Sequence, residues 1–563
     1  MSATTGSVKS ADVETKTATA TDNQARPSEP VNEYEDAEKN YQPKSLKFWS
    51  VMIGMYLAMF LVALDRTIIA TPIPKITDEF NSINDVGWYG SAYMLTCACG
   101  NPVTGRIYQI YSTKWVFMLS ILVFEIGSVV CGAAPNSIAF ILGRAIAGFG
   151  AAGIFSGSIM IMLPLVPLRK RPVFSSFFGL NFAISSVIGP LLGGAFTDKA
   201  TWRWCFYINL PIGAFTLLTT FFFFNVDTPK KTHGPLLDQF KRLDPLGLLF
   251  FVPSITCLIL AFQWAGSTYK WSNPTIIGLL VTFVATIIIF AVIEYKTPET
   301  AIAPGPVVGN RSMVGSLSFL FTSSGGMMVI CYYLAIWFQA TKGDTALDAG
   351  IHSIPLVLSL VLIGIPAAVL TQKIGYYVPV MLFGPILASI GAGMLSTLAP
   401  GSPMSHWIGY QVLYGLGLGC AFQSSSLVAQ TVLPRKDVPI GLALGFFMQQ
   451  LGGAVSVAIA QNIFATKLVD GLSGVAGLDA HGVVNIGATN LRSVVPAEDL
   501  NFVLGVYSNA LTRTFLLAAA LSASGLLSAL LLEWKSIKGD KEKPGSPLTE
   551  DSEVEKGHGP GKI

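Results

Sequence analysis

The sequence predicts an all-α polytopic membrane protein. Only 12% of the 563 residues are charged and 52% are hydrophobic, with a mean hydropathy of +0.56, whereas a soluble domain carries about 25% charged residues. The apolar residues also come in blocks of roughly 20, the length that crosses a hydrocarbon core of about 30 Å as a helix. These blocks therefore indicate many membrane-spanning helices.

Fourteen such blocks follow one another along the chain. They lie at 49–71, 86–107, 115–133, 138–164, 174–197, 206–225, 245–265, 275–294, 312–338, 351–370, 378–398, 407–432, 438–464 and 510–532. The second block gives the weakest signal, because it contains Asn101 and Pro102.

The two ends of the chain are polar. Residues 1–44 are rich in Ser, Thr, Glu, Asp and Pro, and residues 535–563 are also polar, so we expect two disordered tails. No apolar core precedes Phe48, so no cleaved signal peptide is expected. Lys and Arg are concentrated in alternate short loops, which are expected to be cytoplasmic. Both tails then face the cytoplasm, and the long loop 465–508 faces away from it.

The polar residues inside the blocks divide the chain into parts. Charged residues occur in blocks one to six, whereas glutamines predominate in blocks nine to thirteen. Blocks seven and eight are plain apolar segments. This pattern predicts an N-terminal six-helix bundle at 45–226, a loop with two extra helices at 227–300, and a C-terminal six-helix bundle at 301–534.

Helix-breaking residues are concentrated in the fifth block, in the stretch SSVIGPLLGG at 185–194. Gly and Pro both weaken an isolated helix. In a membrane, Gly allows a neighbouring helix to approach closely, and Pro can bend a helix. We therefore expect Gly189, Pro190, Gly193 and Gly194 to shape a moving contact between helices.

Further short motifs occur in a fixed order along the chain. They are LDRTIIATPIP at 64–74, LGRAIAGFG at 142–150, the stretch at 185–194, WRWCFYINLPIG at 202–213, YYLAIWFQ at 332–339 and QQLGGA at 449–454. Together they resemble the motifs of major facilitator superfamily transporters, in the fourteen-span drug:proton antiporter family, and are most similar to fungal toxin and multidrug efflux pumps. The resemblance covers about residues 48–534.

This resemblance implies a fold and a function. The fold is the major facilitator fold, with 14 transmembrane helices in a 6+2+6 arrangement. The function is export of a small amphipathic toxin, secondary metabolite or drug, driven by the proton gradient without a cofactor. The stretch at 185–194 matches the antiporter motif of the family.

One family motif is incomplete, in the loop after the second block. Gly105, Arg106 and Lys114 match the cytoplasmic gating motif. Gln109 stands where the family pattern has an aspartate, and Tyr111 where it has a second glycine. Gln109 offers only neutral hydrogen bonds, so the usual charge relay of this gate is not expected.

Three charged residues inside the blocks are candidates for proton coupling. A charge in a membrane is costly and tends to be paired or functional. Asp65 and Glu125 are the candidate proton carriers, since an unpaired buried carboxylate favours its protonated form. Arg144 stays charged and is expected to bind one of these two acids, with the choice open. Arg66 points about 100° away from Asp65 on a helix, so no pair between these neighbours is expected.

Polar and aromatic residues of the C-terminal half are candidates for a substrate cavity, since such cavities have apolar walls and few polar groups. The candidates are Tyr333, Trp337, Gln339, Gln423, Gln449 and Gln450. No Gly-Lys-Ser/Thr phosphate loop, metal-ligand cluster or catalytic triad occurs in the sequence, which argues against ATP-driven transport and against an enzyme.

The expected partners are membrane lipid, protons and a small-molecule substrate, with no nucleic acid and with a functional monomer. The plasma membrane is the expected location, and the vacuolar or a vesicle membrane is the alternative. An importer or vacuolar transporter of amino acids or siderophores on the same fold, and a transport-dead membrane sensor, stay open as alternative functions.

Overall fold

The structure is a computed structural model that describes residues 41–69, 71–80, 85–224, 243–265, 269–298, 300–422, 424–472 and 500–537, with Ala37 and Ser82. These ranges contain helices and no β-strand. The helices of fifteen residues or more are α1 (Leu46–Ile68), α2 (Val86–Ile110), α3 (Thr113–Gly132), α4 (Ser137–Leu165), α5 (Arg171–Lys199), α6 (Asn209–Phe223), α7 (Pro245–Trp264), α8 (Pro274–Lys296), α9 (Arg311–Trp337), α10 (Ile354–Ile374), α11 (Val378–Leu395), α12 (Met404–Ala421), α13 (Val438–Leu472) and α14 (Leu500–Leu530).

Short helices lie between the long ones. They are Ile73–Phe80, the 3₁₀ turn Leu168–Lys170, Trp204–Tyr207, Gly305–Val308, the π-helical turn Phe338–Lys342, Ala346–His352 and Ser424–Val432. The last of these follows α12 within one candidate membrane span, Met404–Val432, so the predicted block 407–432 contains two helices.

The long helices coincide with the predicted apolar blocks, which confirms a multi-pass all-α membrane protein. Among the described residues, 13 helical segments are long and apolar enough to cross a membrane. Helix α2, of 25 residues, is not one of them, because Asn101, Arg106 and Gln109 lower its apolar character. The count of fourteen spans therefore stays a prediction.

Two predicted boundaries differ from the structure in the C-terminal half. Helix α13 continues to Leu472 and α14 begins at Leu500, so the predicted loop 465–508 is too long at both ends. The reason is tertiary packing, since Leu468, Leu472, Val503 and Leu504 are buried in the same apolar cluster. A helix that extends beyond the membrane still gains by burying such residues.

The predicted tails are also too long at their inner boundaries. Tyr41 packs edge-on against Phe48 and Phe174, and the Lys170 ammonium lies 4.0 Å from its ring centroid. At the other end, Ile537 is buried and its N–H donates to the Gly375 carbonyl at 2.9 Å. Residues 1–36, 38–40 and 538–563 lie outside the described residues, as does the internal stretch 225–242.

The long helices pack as two halves with a pair of helices beside them. Helices α1–α6 contact one another, and so do α9–α14. Helices α7 and α8 pack together, and α7 lies against both α2 and α13. The two halves meet mainly along α2 with α13 and along α5 with α10.

The apolar clusters show where the two halves are joined. We call the end that carries the N-terminus of α1 the inner end, and the opposite end the outer end. The largest cluster contains Val51 and Leu165 of the first half together with Met313 and Val438 of the second, all near the inner end. The clusters at the outer end belong to one half each. The shared core therefore lies at the inner end.

Candidate functional site

A buried ion pair joins α1 to α4. Arg144 Nη1 donates to the Asp65 carboxylate at 2.6 Å, and these side chains are 2% and 0% exposed. Arg144 Nε donates to the Tyr89 carbonyl at 3.0 Å, and the guanidinium stacks 4.5 Å from the Tyr93 ring centroid. Asn209 of α6 donates to the other Asp65 oxygen at 3.4 Å. Four helices thus supply the hydrogen bonds that a buried ion pair requires.

Close helix packing brings Arg144 to this position. A Cβ on Gly148 would lie 2.9 Å from the Tyr93 carbonyl carbon of α2, and a Cβ on Gly150 would lie 2.7 Å from Phe124 Cα of α3. These distances are shorter than real Cβ contacts allow, so only glycine permits α4 to approach both helices. The motif around Arg144 therefore sets the helix spacing as well as the charge.

Glu125 of α3 lies in a different environment from Asp65. It is 7% exposed, and neither of its carboxyl oxygens has a hydrogen-bond partner among the described residues. It packs directly on Gly213 of α6, where a Cβ would lie 2.5 Å from Glu125 Cδ. Ser128, one turn away on α3, accepts a hydrogen bond from Asn209 at 3.1 Å. Of the two candidate acids, the structure places Asp65 beside Arg144.

Arg66 points away from Asp65, towards the other half. Its Nη2 donates to Gln450 Oε1 of α13 at 3.3 Å. Neighbouring residues on a helix are separated by about 100°, which directs the two charges of α1 to different surroundings. Asp65 faces the interior of its own half, and Arg66 faces the contact between the halves.

The breaker stretch of α5 packs closely on α1 at two of its four positions. A Cβ on Gly189 would lie 2.9 Å from Thr67 Cβ, and a Cβ on Gly193 would lie 2.8 Å from the Ile68 carbonyl oxygen. A Cβ on Gly194 would meet nothing within 4 Å. Helix α5 runs continuously through Pro190, whose side chain is outside the described residues. The close approach thus depends on Gly189 and Gly193.

The incomplete gating motif connects the two halves at the inner end. Gln109 Nε2 donates to Asp437 Oδ1, just before α13, at 3.1 Å, and Arg106 donates to the Gln109 oxygen. A Cβ on Gly105 would lie 3.0 Å from the Pro439 carbonyl oxygen. Lys114 differs, because it donates to the Phe221 carbonyl within its own half at 2.6 Å. Position 109 thus lacks the acid of the family pattern, but Asp437 of the opposite half provides a carboxylate that binds Gln109.

A second polar contact between the halves lies nearby. Arg171, at the start of α5, donates to the Leu163 and Val166 carbonyls at 2.8 and 2.9 Å and to Gln430 Oε1 of the second half at 3.3 Å. Leu168 is buried in an apolar cluster formed otherwise by the second half. Polar and apolar contacts together close the inner end.

The substrate-cavity candidates do not come together in one place. Tyr333 is buried and donates to Gln461 at 2.9 Å, and Trp337 is buried and donates to Ser508 at 2.9 Å. Both belong to the core of the second half. Gln339 lies in the π-helical turn after α9, and Gln423 is outside the described residues.

The remaining two candidates lie on α13. Gln449 is half-buried beside Gln450, and Gln450 contacts Arg66 across the halves. Of the six candidates, Gln450 thus accepts a hydrogen bond from the first half, donated by Arg66.

Sequence reasoning missed several residues that the structure brings into contact. Asn209 was visible as an amide within a family motif, and Asp437 as an acid preceding an apolar block. Nothing in their spacing indicates that one meets Asp65 and the other Gln109, because these contacts join residues more than a hundred positions apart. Among the described residues, no group of three or more His, Cys, Asp or Glu side chains is arranged to hold a metal.

The chain is similar to known proteins over most of its length. A family model described as the Major Facilitator Superfamily matches residues 55–457. The MFS-type transporter VdtG of Byssochlamys spectabilis is 45% identical over 499 residues, which cover 89% of this chain and 90% of the relative. The MFS-type efflux pump MFS1 of Arthroderma benhamiae is 45% identical over 514 residues, which cover 91% of this chain and 96% of the relative.

A solved structure has a similar fold. The human organic anion transporter MFSD10 (TETRAN) aligns with a TM-score of 0.58 at 15% identity, over 86% of this chain and 99% of that one. At this level of identity the similarity concerns the fold alone.

Proposed function

Because the chain belongs to the Major Facilitator Superfamily and is a multi-pass membrane transporter rather than an enzyme, we propose that it exports a small amphipathic molecule in exchange for protons. The cargo class is a toxin, secondary metabolite or drug. The buried Asp65–Arg144 ion pair carries the proposal, because a transporter driven by protons needs an acid whose protonation changes a structural contact.

Asp65 is the proposed proton carrier of the cycle. Protonation of Asp65 removes the negative charge that holds Arg144, and Arg144 itself stays charged. A buried guanidinium without its counter-ion is strongly destabilised, so α1 and α4 must rearrange. Because α1 packs on α5 at Gly189 and Gly193, a shift of α1 is transmitted to the helix that meets α10 of the other half.

Glu125 is the proposed second member of the proton path. Among the described residues its buried carboxyl group has no hydrogen-bond partner, which favours the neutral acid. Asn209 donates to Asp65 and to Ser128, which lies one turn from Glu125 on α3. We assign Glu125 to storing a proton and Asp65 to the switch.

The inner gate gives the proposed direction of the cycle. The Gln109–Asp437 and Arg171–Gln430 contacts close the inner end, which the distribution of Lys and Arg predicts to be cytoplasmic. Opening this gate admits cargo, and the arrangement described here corresponds to release on the other side. Export is supported by the name of the relative MFS1, an efflux pump.

The remaining assignments follow from the same proposal. A 6+2+6 division, with α7 and α8 as the extra pair, fits the packing of the two halves. The Asp65–Arg144 pair and the polar contacts between the halves all form within one chain, so a monomer is the proposed functional unit. The plasma membrane is the proposed location, since efflux from the cell requires it.

Reconstitution into liposomes tests proton coupling. With a panel of amphipathic fluorescent dyes, we expect dye movement when a pH gradient is imposed, accompanied by proton flux in the opposite direction. Asp65→Asn is expected to abolish the gradient-driven component. Asp470→Asn is the matched control, because Asp470 pairs with Lys467 on an exposed surface of α13. Dye movement that persists after the gradient is collapsed would exclude the coupling.

A further inference from the structure

Arg66 is a second intramembrane cation, and the proton-coupling pair does not use it. Asp65, its neighbour, is engaged with Arg144 at 2.6 Å. The hydrogen bond recorded for Arg66 goes to a neutral amide oxygen, Gln450 Oε1, at 3.3 Å. Within the part of the chain that the structure describes, no carboxylate lies within ion-pairing distance of Arg66.

Arg66 lies in the last turn of α1, and the residue is only partly buried. Its partner Gln450 lies twelve residues into α13. Arginine does not deprotonate to avoid the low dielectric. An intramembrane charge facing a cavity or an interface is a functional-site hypothesis by default, and Arg66 faces the contact between the two halves.

Two side chains of α2 lie near the guanidinium. Arg66 is close enough to Tyr93 and Cys97 to interact with them electrostatically. The Tyr93 hydroxyl is buried and has no hydrogen-bond partner among the described residues. Arg66 and Tyr93 thus offer a charged donor and a neutral donor in the same region.

Aromatic rings lie next to this region, towards the inner end. Phe446 precedes Gln450 by one turn on the same face of α13, and its ring centroid lies 5.2 Å from that of Phe155 on α4. Phe155 in turn stacks on Phe182 of α5, with ring centroids 6.0 Å apart and planes within 8°. Rings from both halves therefore meet one helical turn from Gln450, the residue that Arg66 contacts. Such a cluster offers an apolar surface to a flat molecule whose charged end reaches Arg66.

We propose that Arg66 is the counter-ion for an acidic group on the cargo, so that the transported class is aromatic organic anions. This inference rests on the proposed export function and specifies its substrate. A carboxylate binds guanidinium through two parallel hydrogen bonds, and it has to displace only the neutral Gln450 oxygen. The ring cluster of Phe155, Phe182 and Phe446 then contacts the apolar part of the cargo.

Three probes that share one aromatic frame test the charge preference. They are naphthoate, its neutral amide naphthamide, and the cation naphthylmethylammonium. Binding is measured at equilibrium by naphthalene fluorescence, with the full chain in nanodiscs of zwitterionic lipid and with empty nanodiscs subtracted. We expect naphthoate to bind more tightly than naphthamide and the cation to bind most weakly. Absence of naphthoate binding, or equal binding of naphthoate and naphthamide, overturns the proposal.

Variants assign the preference to Arg66. Arg66→Gln is expected to lower naphthoate affinity about tenfold or more and to leave naphthamide unchanged, and Arg66→Lys is expected to retain part of the preference. Arg513→Gln is the matched control, because Arg513 also donates to an amide oxygen at 3.3 Å but is exposed on α14. An unchanged naphthoate-to-naphthamide ratio in Arg66→Gln refutes the assignment.

Two further comparisons separate the remaining outcomes. The same titration in nanodiscs of acidic phospholipid distinguishes cargo from lipid, since loss of the preference there alone identifies a headgroup phosphate as the occupant and overturns the assignment to cargo. The binding measurement involves no pH gradient. A failure of proton-coupled export therefore leaves the binding preference for naphthoate unaffected. Likewise, a failure of the binding test does not bear on proton coupling.

Discussion

Arg144 Nη1 lies 2.6 Å from the Asp65 carboxylate, in a site where both side chains are excluded from solvent. Glu125, the other candidate proton carrier, has no hydrogen-bond partner among the described residues and packs against Gly213. The two acids thus have different surroundings, which is the basis on which we propose different parts for them in a proton cycle.

Removing one member of the Asp65–Arg144 ion pair should lower the stability of the folded protein more than removing both members. Asp65→Asn or Arg144→Met alone is expected to lower the free energy of unfolding by about 3–5 kcal/mol, because a buried charge loses its partner. The double variant is expected to regain part of this loss while remaining inactive in transport. Thermal unfolding in detergent, analysed as a double-mutant cycle, measures the coupling, and additive effects would contradict it.

The two glycines of α5 that face α1 should not tolerate a side chain. Gly189→Ala is expected to cost about 1–3 kcal/mol, because its Cβ would overlap Thr67. Gly194→Ala is the control, since a Cβ there meets nothing within 4 Å. Thermal stability and transport of both variants are compared, and Thr67→Ala is expected to rescue Gly189→Ala in part. Equal effects at the two positions would count against a close α1–α5 contact.

Weakening the Gln109–Asp437 contact should make the inner end open more often, and a stronger perturbation should have a larger effect. Gln109→Ala removes a hydrogen bond to a charged group, worth about 1.5–3 kcal/mol, and Gln109→Glu replaces it with repulsion between two carboxylates. We expect faster amide hydrogen exchange in the first turns of α13 in the order wild type, Gln109→Ala, Gln109→Glu. Asp437→Asn combined with Gln109→Glu should restore protection, and no change in any variant would contradict the gate.

Glu79, at the outer end, should make stability depend on acid pH. Hydrogen bonds from Trp202 Nε1 at 2.6 Å and Arg203 Nη1 at 2.9 Å hold the pKa of this carboxyl below its ordinary value of 4.5. A carboxyl with a lowered pKa stabilises the folded state above the unfolded pKa and loses that contribution as the pH falls through the folded pKa.

Wild-type thermal stability should therefore decline as the pH falls below about 4.5. Glu79→Gln should flatten that part of the profile, measured by unfolding between pH 7 and pH 3. A profile identical to wild type would show that Glu79 does not contribute to the acid dependence.

Trp337 should support the fold of the second half rather than cargo binding. Trp337→Phe removes the hydrogen bond to Ser508 and is expected to cost about 1 kcal/mol. The binding ratio of naphthoate to naphthamide should stay unchanged, which equilibrium titration checks. A changed binding ratio together with unchanged stability would indicate that Trp337 contacts the cargo.

The candidate site could be predicted only in part. Asp65, Glu125 and Arg144 could be found because a charged residue is conspicuous in an apolar block. The packing role of Gly189 and Gly193 could be anticipated, but the different setting of Gly194 could not. Tyr333 and Trp337 were candidates for a cavity on aromatic character alone, and the structure buries them in the core of the second half.

The amino-acid sequence alone predicts a multi-pass helical membrane protein, because the bilayer thickness sets the length of each apolar block and little else produces so many. It also contains the family motifs in order. Tertiary packing brings Asp65 to Arg144, Gln450 to Arg66 and Asp437 to Gln109. Such contacts depend on how helices distant in sequence rotate and cross, and the local pattern of a single helix does not encode these relations between helices.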